Sequence, residues 1–137
     1  MGTEFTFYDY IDADRSGANI IKGWLNGNGK PAKARFNTMI RYLEASPPDG
    51  LQGSVWTDPF YVWHLRGEWR GFIEIRKEIQ RVQYRLIGKV EGRNVFLVTW
   101  GFHKGTWETD VTPQTAKDRV SEMKNSPEKY RSEHDNS

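Results

Sequence analysis

Cysteine is absent from this sequence of 137 residues, and histidine occurs only three times. Without cysteine the chain can form neither disulfide bonds nor thiolate metal sites. No His-x-His, His-x-x-x-His or Cys-x-x-Cys spacing offers a structural metal centre either. We therefore expect no metal and no other cofactor, and the composition fits a cytoplasmic protein best.

Long hydrophobic runs are also missing. No stretch approaches the roughly 18 to 20 apolar residues that a membrane helix requires, and the first residues, MGTEFTFYDYIDAD, are acidic rather than basic and then apolar. We expect neither a membrane span nor a signal peptide. Glycine-rich phosphate loops, a Gly-x-Ser-x-Gly nucleophile motif and a zinc finger are absent as well. This excludes the enzyme and DNA-binding classes that those motifs mark.

Aromatic residues and segregated charge are what the sequence does contain. Six Trp, six Tyr and seven Phe supply much of the area that one domain of this length buries. Residues 61–105 hold nine Lys or Arg against four Asp or Glu, whereas residues 1–60 and 106–137 are both slightly acidic. This local positive charge favours an anionic partner such as RNA or DNA, although a solvated sheet face has the same composition.

The N-terminal half has the periodicity of one strand and two helices. Thr3 to Ile11 alternates aromatic and polar residues, as a strand does. Asn19 suits the N-cap of a short helix that ends in the Asn-Gly-Asn-Gly run at 26–29. A longer helix is expected from Pro31 to Ala45, and Ser46 to Pro59 is predicted to be a surface loop. The apolar stripe of the longer helix consists of Phe36, Met39, Ile40 and Leu43.

The C-terminal half has the pattern of three strands followed by a helix. Strands are expected at residues 71–77, 81–88 and 94–102, after a short extended piece at 61–65. The run VFLVTWGF predicts that the last of them is buried on both faces. The Thr112-Pro113 pair is typical of a helix start, and this helix is expected to reach Met123.

These elements predict an α+β fold of order β-α-α-β-β-β-α, with a mostly antiparallel sheet and the helices on one face. Residues 1–125 form a single domain in this interpretation. Residues 126–137 form a C-terminal extension, partly disordered, with RSEHDNS as a frayed tail.

Strand alternation suggests a candidate site. Glu74 and Arg76 share one face of their strand, and the isoleucines between them are expected to face the helices. Arg85 is expected on the same outward face, joined by His103 or Lys104 according to a one-residue choice of register. Such a face can bind phosphate, because the guanidinium fork fits phosphate oxygens and a carboxylate or imidazole can transfer a proton. Cross-strand ion pairs on a solvated face explain the same pattern.

The histidines and tryptophans have two interpretations each. His64 and His103 can act in catalysis, or can be ordinary hydrogen-bonding residues. The tryptophans that flank the basic strands can stack on bases or can cover a small core; they are Trp56, Trp63, Trp69 and Trp107.

Six strings spread over nearly the whole chain match one known superfamily in order and spacing. They are NIIKGWLNG, KARFNTMIRYLEA, HLRGEWRGFIEIR (64–76), VQYRLIG (82–88), FLVTWGFHKG (96–105) and TPQTAKDRVSEMKNSPEKYR (112–131). Together they resemble the RelE/ParE superfamily of toxin–antitoxin toxins, most closely its HigB-like, phage-derived branch. The resemblance implies a RelE-like domain and a ribosome-dependent mRNA endonuclease. Such toxins promote attack of an RNA 2′-hydroxyl on the neighbouring phosphate without a metal.

The resemblance also implies site residues. Arg76 and Arg85 match basic positions of the family's strands, and His103-Lys104 matches the basic pair that ends its last strand. These four residues and Glu74 form the expected catalytic set. The residues expected to bind RNA are Arg66, Arg70, Lys77, Arg81 and Trp107.

The sequence departs from the family at two positions of one strand. RelE has lysines where this chain has Phe72 and Glu74, so Glu74 or His103 is expected to accept the proton. The family's C-terminal tyrosine has only a positional counterpart, Tyr130. The loss of two lysines also removes positive charge that helps RNA to dock.

Three functions remain compatible with the resemblance. The first is the toxin of a type II toxin–antitoxin system that cleaves mRNA and inhibits translation. The second is a non-enzymatic ParE-like toxin that binds DNA gyrase, and the third is a degenerate phage-derived relative that only binds an antitoxin. The expected partners are a cognate helix-turn-helix antitoxin, the ribosome and mRNA. A shared fold does not decide among these functions.

Overall fold

The computed structural model describes residues 4–46, 62–104, 106–109 and 111–136, with only the backbone described at 102–104 and 106–109. It is an α+β fold with a mixed sheet, which confirms the predicted class. The strands are β1 (Thr6–Tyr10), β2 (Val62–His64), β3 (Ile73–Ile79), β4 (Val82–Glu91), β5 (Asn94–Lys104), β6 (Thr106–Thr109) and β7 (Arg131–Glu133). The helices are α1 (Ile20–Gly27), α2 (Lys30–Glu44), α3 (Pro113–Asn125) and α4 (Pro127–Tyr130), and Gly67–Trp69 forms a turn of 3₁₀ helix.

One sheet contains all the described strands. Its order is β2-β3-β4-β5-β1-β7, and β6 pairs with β5. β1 runs parallel to β5, and each other neighbouring pair is antiparallel. The prediction of a mostly antiparallel sheet is therefore confirmed.

The first two helices begin and end where local chemistry requires. The Asn19 side chain accepts a hydrogen bond from the Lys22 backbone N–H at 2.9 Å, as an N-cap does. α1 ends at Gly27, and Gly29 takes a left-handed φ of 91° that lets α2 start at the next residue, with Pro31 in its first turn. The predicted apolar stripe of α2 is buried along its whole length.

Hydrophobic clusters lie on both faces of the sheet, so the expectation that all helices pack on one face is wrong. α1 and α2 cover the face that contains Ile73 and Ile75. α3 covers the opposite face, where Val120 and Met123 belong to the same cluster as Phe96. The reason is β5, whose successive residues 95–98 are all buried and therefore need cover on both sides.

A β-bulge interrupts the alternation of β5. Gly88 pairs with Leu97 but the adjacent Ile87 pairs with Thr99, which leaves Val98 as an extra residue. A side chain at Gly88 would place its Cβ 2.7 Å from the Phe96 carbonyl oxygen, so the close approach requires glycine.

The bulge changes which side chains of β5 share a face of the sheet. Strict alternation predicts that Trp100 shares a face with Phe96 and Val98. In the structure Trp100 instead packs with the α1 cluster and stacks on Trp24 at a ring distance of 5.8 Å.

The C-terminus is not a frayed tail over residues 131–136. β7 pairs antiparallel with β1 and forms an edge of the sheet. The His134 backbone N–H donates to the Phe7 carbonyl oxygen at 2.8 Å, and the His134 side chain is buried. The segment is polar in sequence, so its order comes from partners distant along the chain. Most of the predicted loop, residues 47–59, lies outside the described residues.

Candidate anion-binding site

Strand pairing brings the predicted charged residues together. Arg76 on β3 pairs directly with Arg85 on β4, and Glu74 lies two residues before Arg76 on the same face. On the other side of β3, Trp63 of β2 pairs with Glu74. Three strands thus deliver one carboxylate, two guanidinium groups and an indole to a single place.

Glu74 accepts hydrogen bonds from both arginines. Its Oε1 accepts from Arg76 Nε at 2.8 Å and from Arg85 Nη1 at 3.1 Å, and its Oε2 accepts from Arg85 Nη1 at 3.4 Å. Arg85 Nη2 donates to Gln83 Oε1 at 3.0 Å. We call Glu74, Arg76, Arg85 and Gln83 the arginine cluster.

The cluster is not the solvated face that alternation predicts. The side chains of Glu74 and Arg85 are 0% and 7% exposed, whereas that of Arg76 is 25% exposed. Phe72 and Ile87 lie on this same face and belong to the core beneath α3. The expectation of an exposed polar face is therefore wrong for Glu74 and Arg85 and correct only for the end that Arg76 occupies.

Arg76 is the charged member of the cluster that a ligand can reach. Its guanidinium lies over the Trp63 ring, 4.3 Å from the ring centre. Nε and Nη2 both donate to Glu74, while Nη1 makes no hydrogen bond within the described part of the chain. Stacking and ion pairing therefore fix the plane of the guanidinium and leave one edge for an acceptor.

The electrostatics of the cluster favour an added anion. Burial lowers the pKa of Arg85, and the charge of Arg76 acts in the same direction, whereas Glu74 opposes both effects. Arginine remains protonated at neutral pH even so. Two cations then share one carboxylate, so the cluster carries an excess of one positive charge in a partly desolvated place.

The basic end of β5 is placed by its backbone. His103 pairs with Gln83 on one side and with Trp107 on the other, and Lys104 pairs with Thr106. The register that the sequence left open is thus the one in which His103 lies opposite Gln83. The side chains of His103, Lys104 and Trp107 are outside the described part of the structure.

The other predicted RNA-binding cations flank Arg76 along the chain. Arg66 and Arg70 precede β3, Arg81 is in the turn after it, and Lys77 alternates to the face of β3 opposite Arg76. Arg66, Arg70 and Arg81 are exposed and Lys77 is half-buried. None of the four makes an ion pair within the described residues, so their charges are available to a partner.

Two of the remaining predicted aromatic residues lie away from the site. Trp69 is buried in the core with its ring centre 5.5 Å from that of Phe72, so it does not present a stacking surface. Tyr130 donates a hydrogen bond to Asp14 at 2.8 Å near the opposite edge of the sheet, and the structure does not bring it to the arginines. Trp56 is outside the described residues.

Sequence reasoning missed two members of the site. Alternation along β4 places Gln83 on the same face as Arg85, and this is the available signal that it orients the arginine. For Trp63 the sequence indicates only a base-stacking role or a core position. Its role as a platform for Arg76 depends on the β2–β3 pairing, which periodicity does not reveal.

A separate groove of about 820 Å³ lies beside α3. Four carboxylates, those of Asp12, Asp14, Asp118 and Glu122, outnumber its two arginines, so it does not suit an anion. Burial and a hydrogen bond from its own hydroxyl to Glu122 raise the pKa of the nearby Tyr10, which therefore stays protonated.

Within the described residues no three His, Asp or Glu side chains are grouped as a metal site would require. No described helix is long and apolar enough to cross a membrane. No known protein family matches the chain, and no curated protein or solved structure is significantly similar to it.

Proposed function

We propose that this protein is the RelE-like toxin of a type II toxin–antitoxin system, a metal-independent endoribonuclease of the cytoplasm that cleaves mRNA on the ribosome. The observation that carries the proposal is the arginine cluster, in which Arg76 offers a free, oriented edge beside an excess positive charge. The excess of Lys and Arg over residues 61–105 and the resemblance described above support it. A helix-turn-helix antitoxin is the partner that this proposal implies.

The proposed reaction needs three contributions from the protein. The RNA 2′-oxygen attacks the adjacent phosphorus, the bond to the 5′-oxygen breaks, and a 2′,3′-cyclic phosphate and a 5′-hydroxyl end result. A base removes the 2′ proton, an acid protonates the 5′-oxygen, and cations stabilise the charge that develops on the phosphate. In this proposal Arg76 makes the phosphate contact.

Glu74 is better suited to holding Arg76 than to accepting the proton. It is fully buried, and both of its oxygens accept hydrogen bonds from arginine. A 2′-hydroxyl would have to displace those donors to reach it. We therefore assign Glu74 and Arg85 as positioning residues, His103 as the base and Lys104 as a further phosphate contact.

Mapping of mRNA ends in a reconstituted translation reaction tests this proposal. Wild-type protein is expected to cut mRNA on the ribosome, and Arg76→Ala to reduce the rate by about 100-fold or more, the usual cost of a lost transition-state donor. Arg93→Ala is the matched control, because Arg93 is an exposed arginine whose partner is Glu4 on another part of the surface. Its rate should equal that of the wild type.

The pH dependence separates the two roles of Glu74. Glu74→Gln is expected to lower the rate and to leave the shape of the pH–rate profile unchanged, while His103→Ala removes its rising limb. A Glu74→Gln enzyme that loses the rising limb would make Glu74 the base. Intact mRNA in the presence of stoichiometric, folded wild-type protein would refute the nuclease.

A further inference from the structure

The hairpin between β3 and β4 has an unusual tip. Ile79 pairs with Val82, so the turn consists of only Gln80 and Arg81. Both residues have positive φ, 52° and 71°, as the type I′ turn of a two-residue hairpin requires. Turns of this type strongly favour Asn-Gly, because a side chain with a Cβ is strained in the left-handed region.

The chain uses glycine at all its other described left-handed positions. These are Gly17, Gly29, Gly67, Gly71 and Gly92, and Gly92 lies in the neighbouring β4–β5 turn. Gln80 and Arg81 are thus the described residues at which the sequence accepts this strain. Strain of this kind is retained where a side chain has a use that outweighs it.

Arg81 has no structural partner that explains its retention. It is exposed, and within the described residues it forms neither a hydrogen bond nor an ion pair. Glu78, the nearest acidic residue along the strand, also forms no ion pair with it. The charge of Arg81 is therefore directed to something outside the described fold.

The tip lies too far from Arg76 for one phosphate to touch both. Ile79 lies three residues beyond Arg76, which is roughly 10 Å at the usual rise per residue, and the tip lies beyond that point. The Arg76 guanidinium is directed the other way, to Glu74. An anion that uses both arginines must therefore be extended and must carry several charges.

We propose that the hairpin tip is a second phosphate subsite, where Arg81 binds the backbone of a single-stranded RNA that also contacts Arg76. This inference rests on the proposed function, since it takes RNA as the ligand, and adds the direction in which the strand runs. The bases need not be read at the tip, because a phosphate contact positions a strand without specifying its sequence.

Two glycine substitutions separate charge from strain. Arg81→Gly and Gln80→Gly both relieve a left-handed residue, so both variants should melt about 2 °C above the wild type. Only Arg81→Gly removes the cation. Arg81→Lys keeps a cation on the strained backbone and completes the set.

Fluorescence anisotropy with a labelled oligouridylate of about 12 nucleotides, within the size range of single-strand sites, measures the contact. Arg81→Gly should bind about 5-fold more weakly, and the slope of log Kd against log salt should fall by about 0.7. Gln80→Gly and Arg81→Lys should match the wild type. Competition by uridine monophosphate, which reaches only Arg76, should be the same for all of these proteins.

The outcomes distinguish the two proposals. If Arg76→Ala weakens binding and Arg81→Gly does not, the tip subsite is refuted and the nuclease proposal stands. If Arg81→Gly weakens binding and Arg76→Ala does not, the tip contact stands and the proposed site fails. If Gln80→Gly weakens binding as much as Arg81→Gly, rigidity of the turn and not charge is responsible, and the subsite is refuted. Failure of the wild type to bind the oligonucleotide refutes the tip subsite, whereas the nuclease proposal is refuted by intact mRNA in the translation reaction.

Discussion

Two buried carboxylates, Glu74 on β3 and Asp9 on β1, are bound in similar ways but differ in what surrounds them. Glu74 accepts hydrogen bonds from two arginines, of which Arg76 keeps a quarter of its side chain exposed. Asp9 is joined to the buried His134 Nδ1 at 2.7 Å and accepts a hydrogen bond from Asn19 at 2.9 Å.

We call Asp9, Asn19, His134 and Asn37 the Asp9–His134 cluster, and its imidazole ring has a hydrogen-bonding partner on both sides. His134 Nε2 lies 2.9 Å from Oδ1 of the buried Asn37, so both ring nitrogens are engaged inside the protein. A buried carboxylate therefore does not by itself mark a functional site. The arginine cluster differs in having one member at the surface with an edge that is unpaired within the described residues. In the Asp9–His134 cluster the carboxylate and both ring nitrogens are engaged inside the protein, which fixes β7 against β1.

The largest change in the free energy of unfolding is expected at the Asp9–His134 cluster. His134→Ala leaves Oδ1 of Asp9 and Oδ1 of Asn37 without their buried partner, although Asn19 still donates to the other oxygen of Asp9, and should lower the free energy of unfolding by about 3 kcal/mol. Urea denaturation measures this, with Ser132→Ala as the control because Ser132 is an exposed residue of the same short strand. A loss below about 1 kcal/mol, as an exposed pair would give, would show that the tail is not held by this cluster.

A smaller change in the free energy of unfolding is expected at the arginine cluster. Arg76→Ala removes a partly exposed guanidinium while Arg85 continues to pair with Glu74, so the loss should be about 1 kcal/mol or less. The same denaturation experiment should then show that the variant with the greater loss of activity has the smaller loss of stability. If Arg76→Ala destabilises the protein as much as His134→Ala, the distinction between the two clusters is wrong.

The smallest change in stability is expected at Glu44, which lies at the end of α2 beside the Asp9–His134 cluster. Burial raises its pKa above the ordinary value of 4.5, although a hydrogen bond from Asn136 and the charge of His134 oppose the change. Because the pKa of Glu44 is higher in the folded protein than in the unfolded chain, the stabilisation that this group contributes is fully present below pH 4.5. It is lost as the pH rises through the folded-state pKa.

Glu44→Gln should therefore be more stable than the wild type at neutral pH and no more stable below pH 4.5, since the amide oxygen can still accept from Asn136. Thermal melting of both proteins across this range measures the difference. Equal curves at all pH values would mean that the buried carboxylate costs the fold nothing.

Local elements of this protein followed directly from residue types. The Asn19 cap, the glycines after α1 and the apolar stripe of α2 each act through neighbours within about four residues, so periodicity and capping rules predicted them. The two strands of the β3–β4 hairpin were predicted from alternation in the same way, although their turn residues are not the ones that a type I′ turn favours.

The errors all concern partners distant along the chain. The bulge opposite Gly88 shifts the faces of β5, and no alternation rule contains an extra residue. The C-terminal segment reads as a polar tail until Asp9 and Asn37, about 100 residues away, supply partners for His134. Helices lie on both faces of the sheet because β5 is apolar on both sides.

The candidate residues of the site can be identified from the amino-acid sequence alone. Alternation placed Glu74 and Arg76 on one face of β3, and charge counting located the basic region. The exposure of these side chains depends on the tertiary structure, because the burial of a sheet face is set by the elements that pack against it. The core beneath α3 and the pairing of β2 with β3 enclose Glu74 and Arg85 and leave Arg76 at the surface on the Trp63 ring.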